Sequence, residues 1–290
     1  MVLSVLLSAG AGADTVEFDA GLWEMQGASV VEHMGRTCLV GTAWLKEVEF
    51  ENGVIEVDVA VDGRRSYPGI IFRMETPRDY ERYYMRPHRT CGRYPDVHQY
   101  VPVMNGIAGW QLYNGDGCTS FGEIPVNEWV TVRLEVKGTQ ARVFLGDMEN
   151  PVLEIDRLVR GITRGSVGVN GPRDGSAYFS NFRWKKDDTL AFEDPPPKFP
   201  PPGVIEKWRV RGPYRLSDLD LEQYPSEHDL AGPVWTDVEA AESGLVDISR
   251  YFGRSGREPD VAIARTVIES EEGGTMEFKF GYSDAAAVFF

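Results

Sequence analysis

Short runs in which apolar and polar side chains alternate, separated by Gly, Asn, Asp and Pro, dominate the first two thirds of the chain. A period of two places alternate residues on opposite faces of an extended strand. Val54–Val61 (VIEVDVAV) predicts one strand, and Gly69–Met74 (GIIFRM) a second. Tyr80–Arg86, Val97–Val103 and Gly109–Tyr113 read as three more. Glu128–Val136 and Gln140–Leu145 predict a hairpin around Lys137-Gly138-Thr139, and Gly165–Val169 and Tyr178–Trp184 close the series. Helical periodicity is nearly absent. Strands at such spacing predict two packed antiparallel sheets, an all-β sandwich.

The pattern breaks at 193–203 (EDPPPKFPPPG), where six prolines forbid a regular ladder and favour an extended spacer. We therefore divide the chain into a leader at 1–13, a first domain at 14–192, a linker at 193–203 and a second domain at 204–290. In the second domain Ile205–Val210, Val234–Thr236 and Gly244–Ile248 predict strands. Val261–Ile268 and Thr275–Gly281 predict a hairpin across Glu271-Glu272-Gly273-Gly274.

Six segments of the first domain carry a family likeness in their order: Phe50–Glu56, Pro68–Arg73, Asn127–Arg133, Gly138–Leu145, Gly165–Val169 and Ala177–Phe182. Together they resemble the concanavalin A-like lectin/glucanase superfamily over about residues 20–185. Within it they are most similar to laminin-G modules and to the domain named for 3-keto-disaccharide hydrolases. The resemblance implies a jelly-roll sandwich; its members include lectins, glycosidases and interaction modules, so fold alone fixes no activity. The stretch Phe280–Phe290 is similar to the galactose-binding-like β-sandwich appended to many glycosidases. There such a strand runs on into further strands, whereas here it ends on an apolar run, so the second sandwich reads as truncated.

Composition narrows the partners. A formal net charge of −15 over 290 residues repels phosphate backbones and argues against nucleic-acid binding. No apolar stretch is long enough for a transmembrane helix. Val2–Ala13 is a short apolar run ending in Ala11-Gly12-Ala13, a small-x-small pattern that reads as the remnant of a signal peptide; a first β-strand is the alternative. The first reading places the protein outside the cell or in its envelope. Cys38, Cys91 and Cys118 lack metal-ligand spacing. After export Cys91 and Cys118 could bridge neighbouring loops, a bond worth about 3 kcal/mol, with Cys38 a buried thiol; the alternative is three buried free thiols.

Candidate chemistry concentrates between residues 64 and 113. Eight arginines (64, 65, 73, 78, 82, 86, 89 and 93) face three acids (Glu75, Asp79 and Glu81) within residues 64–93. Arginine forks suit carboxylate or sulfate, hence an anionic glycan; a solvated face paired with acids elsewhere is the alternative. Strand parity adds a surface. If the strands are neighbours, Arg73, Tyr84, Arg86, His88, His98, Tyr100 and Trp110 line one concave sheet suited to stacking and hydrogen-bonding a sugar. A register shift of one would bring in Gln99 instead. For glycoside cleavage, the acid/base candidates are His88, His98 and Glu75. Glu56-Val57-Asp58 is similar to the start of the E-x-D-x-x-E strand of retaining glucanases, which need two carboxyls about 5 Å apart; the final Glu is missing, and a solvated outer face is the simpler account. Asn114-Gly115-Asp116-Gly117 could cradle Ca²⁺ or form an ordinary turn, and no other cofactor is indicated. Three readings follow: a glycan-binding module, a glycoside-cleaving enzyme, and a laminin-G-like protein-interaction module.

Overall fold

The computed structural model describes residues 14–290 except 196, 198, 255, 257–259, 271, 272, 284 and 290. The proposed leader at 1–13 lies outside the described residues. The chain divides into two compact units, one comprising 14–102 and 113–194 and the other 103–112 and 195–290. No helix among the described residues is long and apolar enough to cross a membrane.

The regular elements of the first ~190 residues are almost all strands: β1 (Trp23–His33), β2 (Arg36–Leu45), β3 (Gly53–Val61), β4 (Gly69–Thr76), β5 (Asp79–Met85), β6 (His98–Met104), β7 (Ile107–Ala108), β8 (Thr119–Ser120), β9 (Trp129–Lys137), β10 (Gln140–Leu145), β11 (Leu153–Ile155), β12 (Ser166–Asn170) and β13 (Ala177–Lys186). Hydrogen bonds join them in the order β11-β10-β9-β3-β13-β2-β12-β4-β5-β6-β7, with β1 on β2 and β8 on β6. The last two residues of β6, with β7, belong to the second unit. The pairings of β1 with β2, β2 with β12 and β13, β3 with β9 and β13, β4 with β5 and β12, β6 with β7 and β8, and β10 with β9 and β11 are antiparallel.

This ribbon turns on itself at β1–β2. The first half of β2 meets β13 through Leu39 and Phe179, whereas its second half meets β12 through Ala43 and Trp44. Gly41 lies between them with φ +103°, and a Cβ there would fall 2.9 Å from the Gly27 carbonyl oxygen. Only glycine fits this turn. The fold brings Ile55, Val57, Val132 and Leu134 of one half-sheet into the same core as Ile70, Phe72, Tyr83, Tyr100 and Val169 of the other. It is the aligned two-layer solution open to sheets with one apolar face each.

The β1–β2 hairpin is an addition to the predicted strands, while Gly109–Tyr113 departs from prediction: Trp110–Leu112 forms a 3-10 turn. None of the cysteines is bridged, and Cys91 is exposed where either a bridge or burial was expected.

Arg73 shows how tightly the loops are fixed. It sits at an irregularity in the β4–β5 ladder with φ +49° and has no exposed surface. Its guanidinium donates to the carbonyls of Glu51 (2.8 Å), Gly138 (2.7 Å) and Gly161 (3.0 Å) and to Asn52 Oδ1 (3.4 Å). A buried charge is tolerable only when its donors are satisfied.

In the second unit β14 (Lys207–Arg215) is flanked by β15 (Thr236–Glu239) and β16 (Asp260–Arg265). Val210 and Val238 are buried beside Leu230 and Tyr214. The predicted hairpin between Val261–Ile268 and Thr275–Gly281 does not form, since β16 pairs with β14 and no strand is described at 275–281. Gly244–Ile248 likewise is not a strand.

Arg73→Ala should lower unfolding stability by about 3 kcal/mol, because it strands three buried carbonyls at once. An unchanged midpoint in urea would refute the anchoring role.

Candidate functional site

The parity of β5 and β6 decides which residues can meet a ligand. Tyr83 and His98 share the core side, joined by a 2.7 Å bond between Tyr83 Oη and His98 Nδ1. Tyr100 is on that side too; its hydroxyl donates to Glu81 Oε2 at 2.8 Å and accepts from the Val159 amide at 2.6 Å. Tyr84 and Gln99 take the opposite face, where the Tyr84 hydroxyl donates to Gln99 Oε1 at 2.8 Å. The register is thus one residue from that expected for a surface containing His98 and Tyr100.

Arg86 completes the outward network. Its Nη2 donates to Tyr84 Oη (2.9 Å) and to Gln99 Oε1, and its Nη1 to the Asp96 carbonyl. Gln99 Nε2 donates to the Tyr113 carbonyl at 2.8 Å. Tyr84 lies between two guanidiniums, Arg82 at 4.6 Å and Arg86 at 4.9 Å from its ring centre. Tyr67 and His88 pack over this layer, with Tyr67 edge-on to Tyr84 at 5.9 Å and to His88 at 5.6 Å. Tyr84 and Arg86 are buried, while Tyr67, Arg82 and His88 are half-buried.

Of the seven proposed ligand residues, the structure therefore brings together Tyr84, Arg86 and His88. Arg73 is withdrawn from the set because its guanidinium is spent on main-chain carbonyls inside the protein. His98 and Tyr100 are withdrawn because the core holds them, both with no exposed surface. Trp110 belongs to the second unit.

The acid/base candidates fare similarly. Burial pushes His98 down to about 4, so its ring is neutral at pH 7 and out of reach of any substrate. Among the described residues its Nε2 has no partner, and a Cβ on Gly122 would fall 2.4 Å from it. Burial, then the positive charges of Arg89, Arg65 and Arg86, hold His88 below the ordinary histidine value. Glu75 is exposed and ion-paired with Arg160.

Beside this network opens a cleft of about 550 Å³, lined by Arg89, Tyr94, Pro95, Asp96, Asn114, Gly115, Asp116, Thr119, Ser120 and Phe121. The network positions two of its walls. Arg86 holds the Asp96 main chain, and Gln99 pairs across the ladder with Thr119. Arg89 Nη1 donates to Asp96 Oδ1 at 2.6 Å, and the Arg89 guanidinium carbon lies 5.1 Å from the centre of the Tyr94 ring. Tyr94 and Phe121 stand exposed at 44% and 58%. The Asn114–Gly117 segment closes as a turn: the amides of Cys118 and Thr119 donate to the Gly115 carbonyl at 3.0 and 2.8 Å. Among the described residues no three His, Cys, Asp or Glu side chains gather as metal ligands.

Tyr67, Tyr94, Asp96, Asp116 and Phe121 formed no part of the predicted surface. Their segments are turns and irregular connections without period, so strand parity could not locate them.

On the outer face of the other half-sheet, Glu56 is gripped by Arg133 (2.7 Å) and Arg183 (3.3 Å). Burial works to raise the Asp58 carboxyl, but bonds from Thr131, Asn181 and Arg36 outweigh it and hold the group low.

No family model matches the chain, and no curated protein matches it. Solved structures with a similar course include a carbohydrate-binding module, CBM66, from Bacillus subtilis (16% identity, TM-score 0.44), covering 57% of this chain and 95% of that one. A protein of unknown function with a galectin-like fold from Bacillus subtilis shows 9% identity and a TM-score of 0.42, covering 57% and 89%. Chicken galectin 2 shows 11% identity and a TM-score of 0.35, covering 48% and 98%. Such distances transfer no residue roles to this chain.

The buried neutral His98 predicts a pH effect on stability. Its folded value, about 4, is below the unfolded 6.5, so the unfolded chain binds the proton first as pH falls. Stability should therefore drop by up to about 3 kcal/mol between pH 6.5 and 4 on this account alone. Denaturation of wild type and His98→Asn across that range checks this, and parallel pH curves would contradict it.

Proposed function

We propose that the first unit binds carbohydrate in the cleft between Arg89 and Phe121. The observation that carries this reading is a pair of exposed aromatic rings, Tyr94 and Phe121, among walls that are otherwise hydrogen-bonding groups. Sugar rings present apolar C–H faces and a girdle of hydroxyls. Aromatic faces take the former; Arg89, Asp96, Asn114, Asp116 and Ser120 can exchange hydrogen bonds with the latter.

The charge balance favours a neutral saccharide here. Arg89 is already matched by Asp96, and Asp116 adds a negative charge to the walls. Elsewhere in the arginine-rich stretch, Arg64 is paired with Asp62 and Arg73 is buried on carbonyls. This weakens the case for an anionic glycan in the cleft. Closer kinship with laminin-G or keto-disaccharide hydrolase modules, and export directed by the Val2–Ala13 run, remain part of this proposal. Cleavage after Ala13, read by N-terminal sequencing of the protein made in a secreting host, tests export.

Tyr94→Ala and Asn114→Ala should each weaken binding to the best ligand of a glycan array about tenfold, roughly 1.4 kcal/mol. Calorimetry with that ligand measures the loss. If both variants bind like wild type, the cleft is not the site. Product release from an oligosaccharide panel would instead favour the glycoside-cleaving reading, and preference for uronate or sulfated glycans would restore the anionic one.

A further inference from the structure

The second unit carries a concentration of positive charge on its sheet. Strand parity puts Lys207, Arg209 and Arg211 of β14 on the face opposite buried Val210. Arg209 lies directly across from Arg265 of β16 on one side and from Asp237 of β15 on the other. Like charges facing each other on neighbouring strands repel, so an Arg–Arg pair costs stability unless something offsets it.

Part of the offset is visible. Asp237 reaches Arg209 at 3.0 Å, and Glu227 reaches Arg211 at 3.1 Å. The half-buried Trp235 ring gathers all three guanidiniums, with Arg265 at 4.6 Å, Arg211 at 5.6 Å and Arg209 at 5.7 Å from its centre. Among the described residues no carboxylate stands within ion-pair distance of Arg265. Three cations thus converge on one ring with two acids to match them.

We propose that Trp235, Arg209, Arg211 and Arg265 form an oxyanion site that takes the carboxylate or sulfate group of an acidic saccharide. Guanidinium groups offer paired donors to such oxygens, and an anion there would offset the repulsion between Arg209 and Arg265. Trp235 supplies an apolar surface next to the charge, which suits a sugar ring bearing an acidic group better than a free ion. The site shares no residue with the cleft of the first unit and does not depend on that reading.

The test is calorimetry on the whole chain with glucuronic acid, inorganic sulfate and glucose, together with indole N–H shifts by NMR. Glucuronate should bind and shift the Trp235 indole N–H, glucose should not displace it from there, and the affinity should fall as sodium chloride is raised. Arg265→Gln and Trp235→Leu should each weaken glucuronate about tenfold, whereas Tyr94→Ala should leave it unchanged. Arg265→Lys, which keeps the charge but not the fork, should lie between wild type and Arg265→Gln, and its near-ultraviolet circular dichroism guards against loss of fold. Absence of glucuronate binding, or binding indifferent to Arg265→Gln, would overturn the site. Sulfate binding as tightly as glucuronate, with no response to Trp235→Leu, would overturn the assignment to a saccharide.

Discussion

A guanidinium taken out of water must find an acceptor for its donors, and in the first unit that requirement fixes the segments strands cannot reach. Arg73 and Arg86 leave the same sequence stretch and are both buried. Arg73 gathers the turns at Glu51, Gly138 and Gly161, which join different parts of the folded ribbon. Arg86 ties β5, β6 and the Asp96 loop into one layer. Isolated charges in such places would be costly, and unpaired carbonyls nearly as much. Each arginine therefore makes a loop conformation a condition of burial. The cleft inherits its shape from the second of these conditions, since Asp96 is a wall of the cleft and a partner of Arg86.

Parity then separates scaffold from surface. Tyr83, His98, Tyr100 and Glu81 turn inward, and apart from His98 Nε2 their polar atoms bond to one another and to nearby amides. Burial raises the Glu81 carboxyl above the ordinary range, even with Tyr100, Arg160 and Arg73 acting to lower it. This polar core layer looks like chemistry in the sequence, because histidine, tyrosine and glutamate recur there, but in the structure its work is internal. Tyr84, Arg86 and Gln99, one residue away along the same strands, support the face a ligand can reach.

How far the sequence was readable follows from the same parity. β3, β9, β10 and β13 were legible because one side of each is dry and the other at least partly wet, as in the strict alternation of β9. β6 gave no such guide: all seven of its residues are buried, so its two faces cannot be told apart by polarity. Read from the sequence, the strand therefore offers His98 and Tyr100 to the surface, with Gln99 the alternative. β1 and β2 escaped notice because β1 is an outer strand with mostly exposed residues and an irregular register between Gln26 and Ser29. Gly109–Tyr113 has strand-like composition, but Trp110–Leu112 closes as a 3-10 turn in the second unit. Of the cleft, Arg89 and the Asn114–Gly117 turn were legible as an arginine run and a turn, but Tyr94 and Phe121 lie on irregular segments without period.

The acids of the first unit bear on binding against cleavage. A glycosidase needs two carboxyls with opposed duties, one of them able to give up a proton near neutral pH. Glu56 and Asp58 are two residues apart on β3, the arrangement that would suit such a pair. Yet each is surrounded by donors: Arg133 and Arg183 at Glu56, and Arg36, Thr131 and Asn181 at Asp58. At Asp58 those bonds hold the carboxyl below its ordinary range, which is the wrong direction for a general acid. In the cleft Asp96 is likewise held by Arg89, with Arg86 3.6 Å away. An acid engaged in this way serves best as a fixed hydrogen-bond acceptor, and a rigid acceptor beside an exposed aromatic ring is what recognition of a sugar hydroxyl requires.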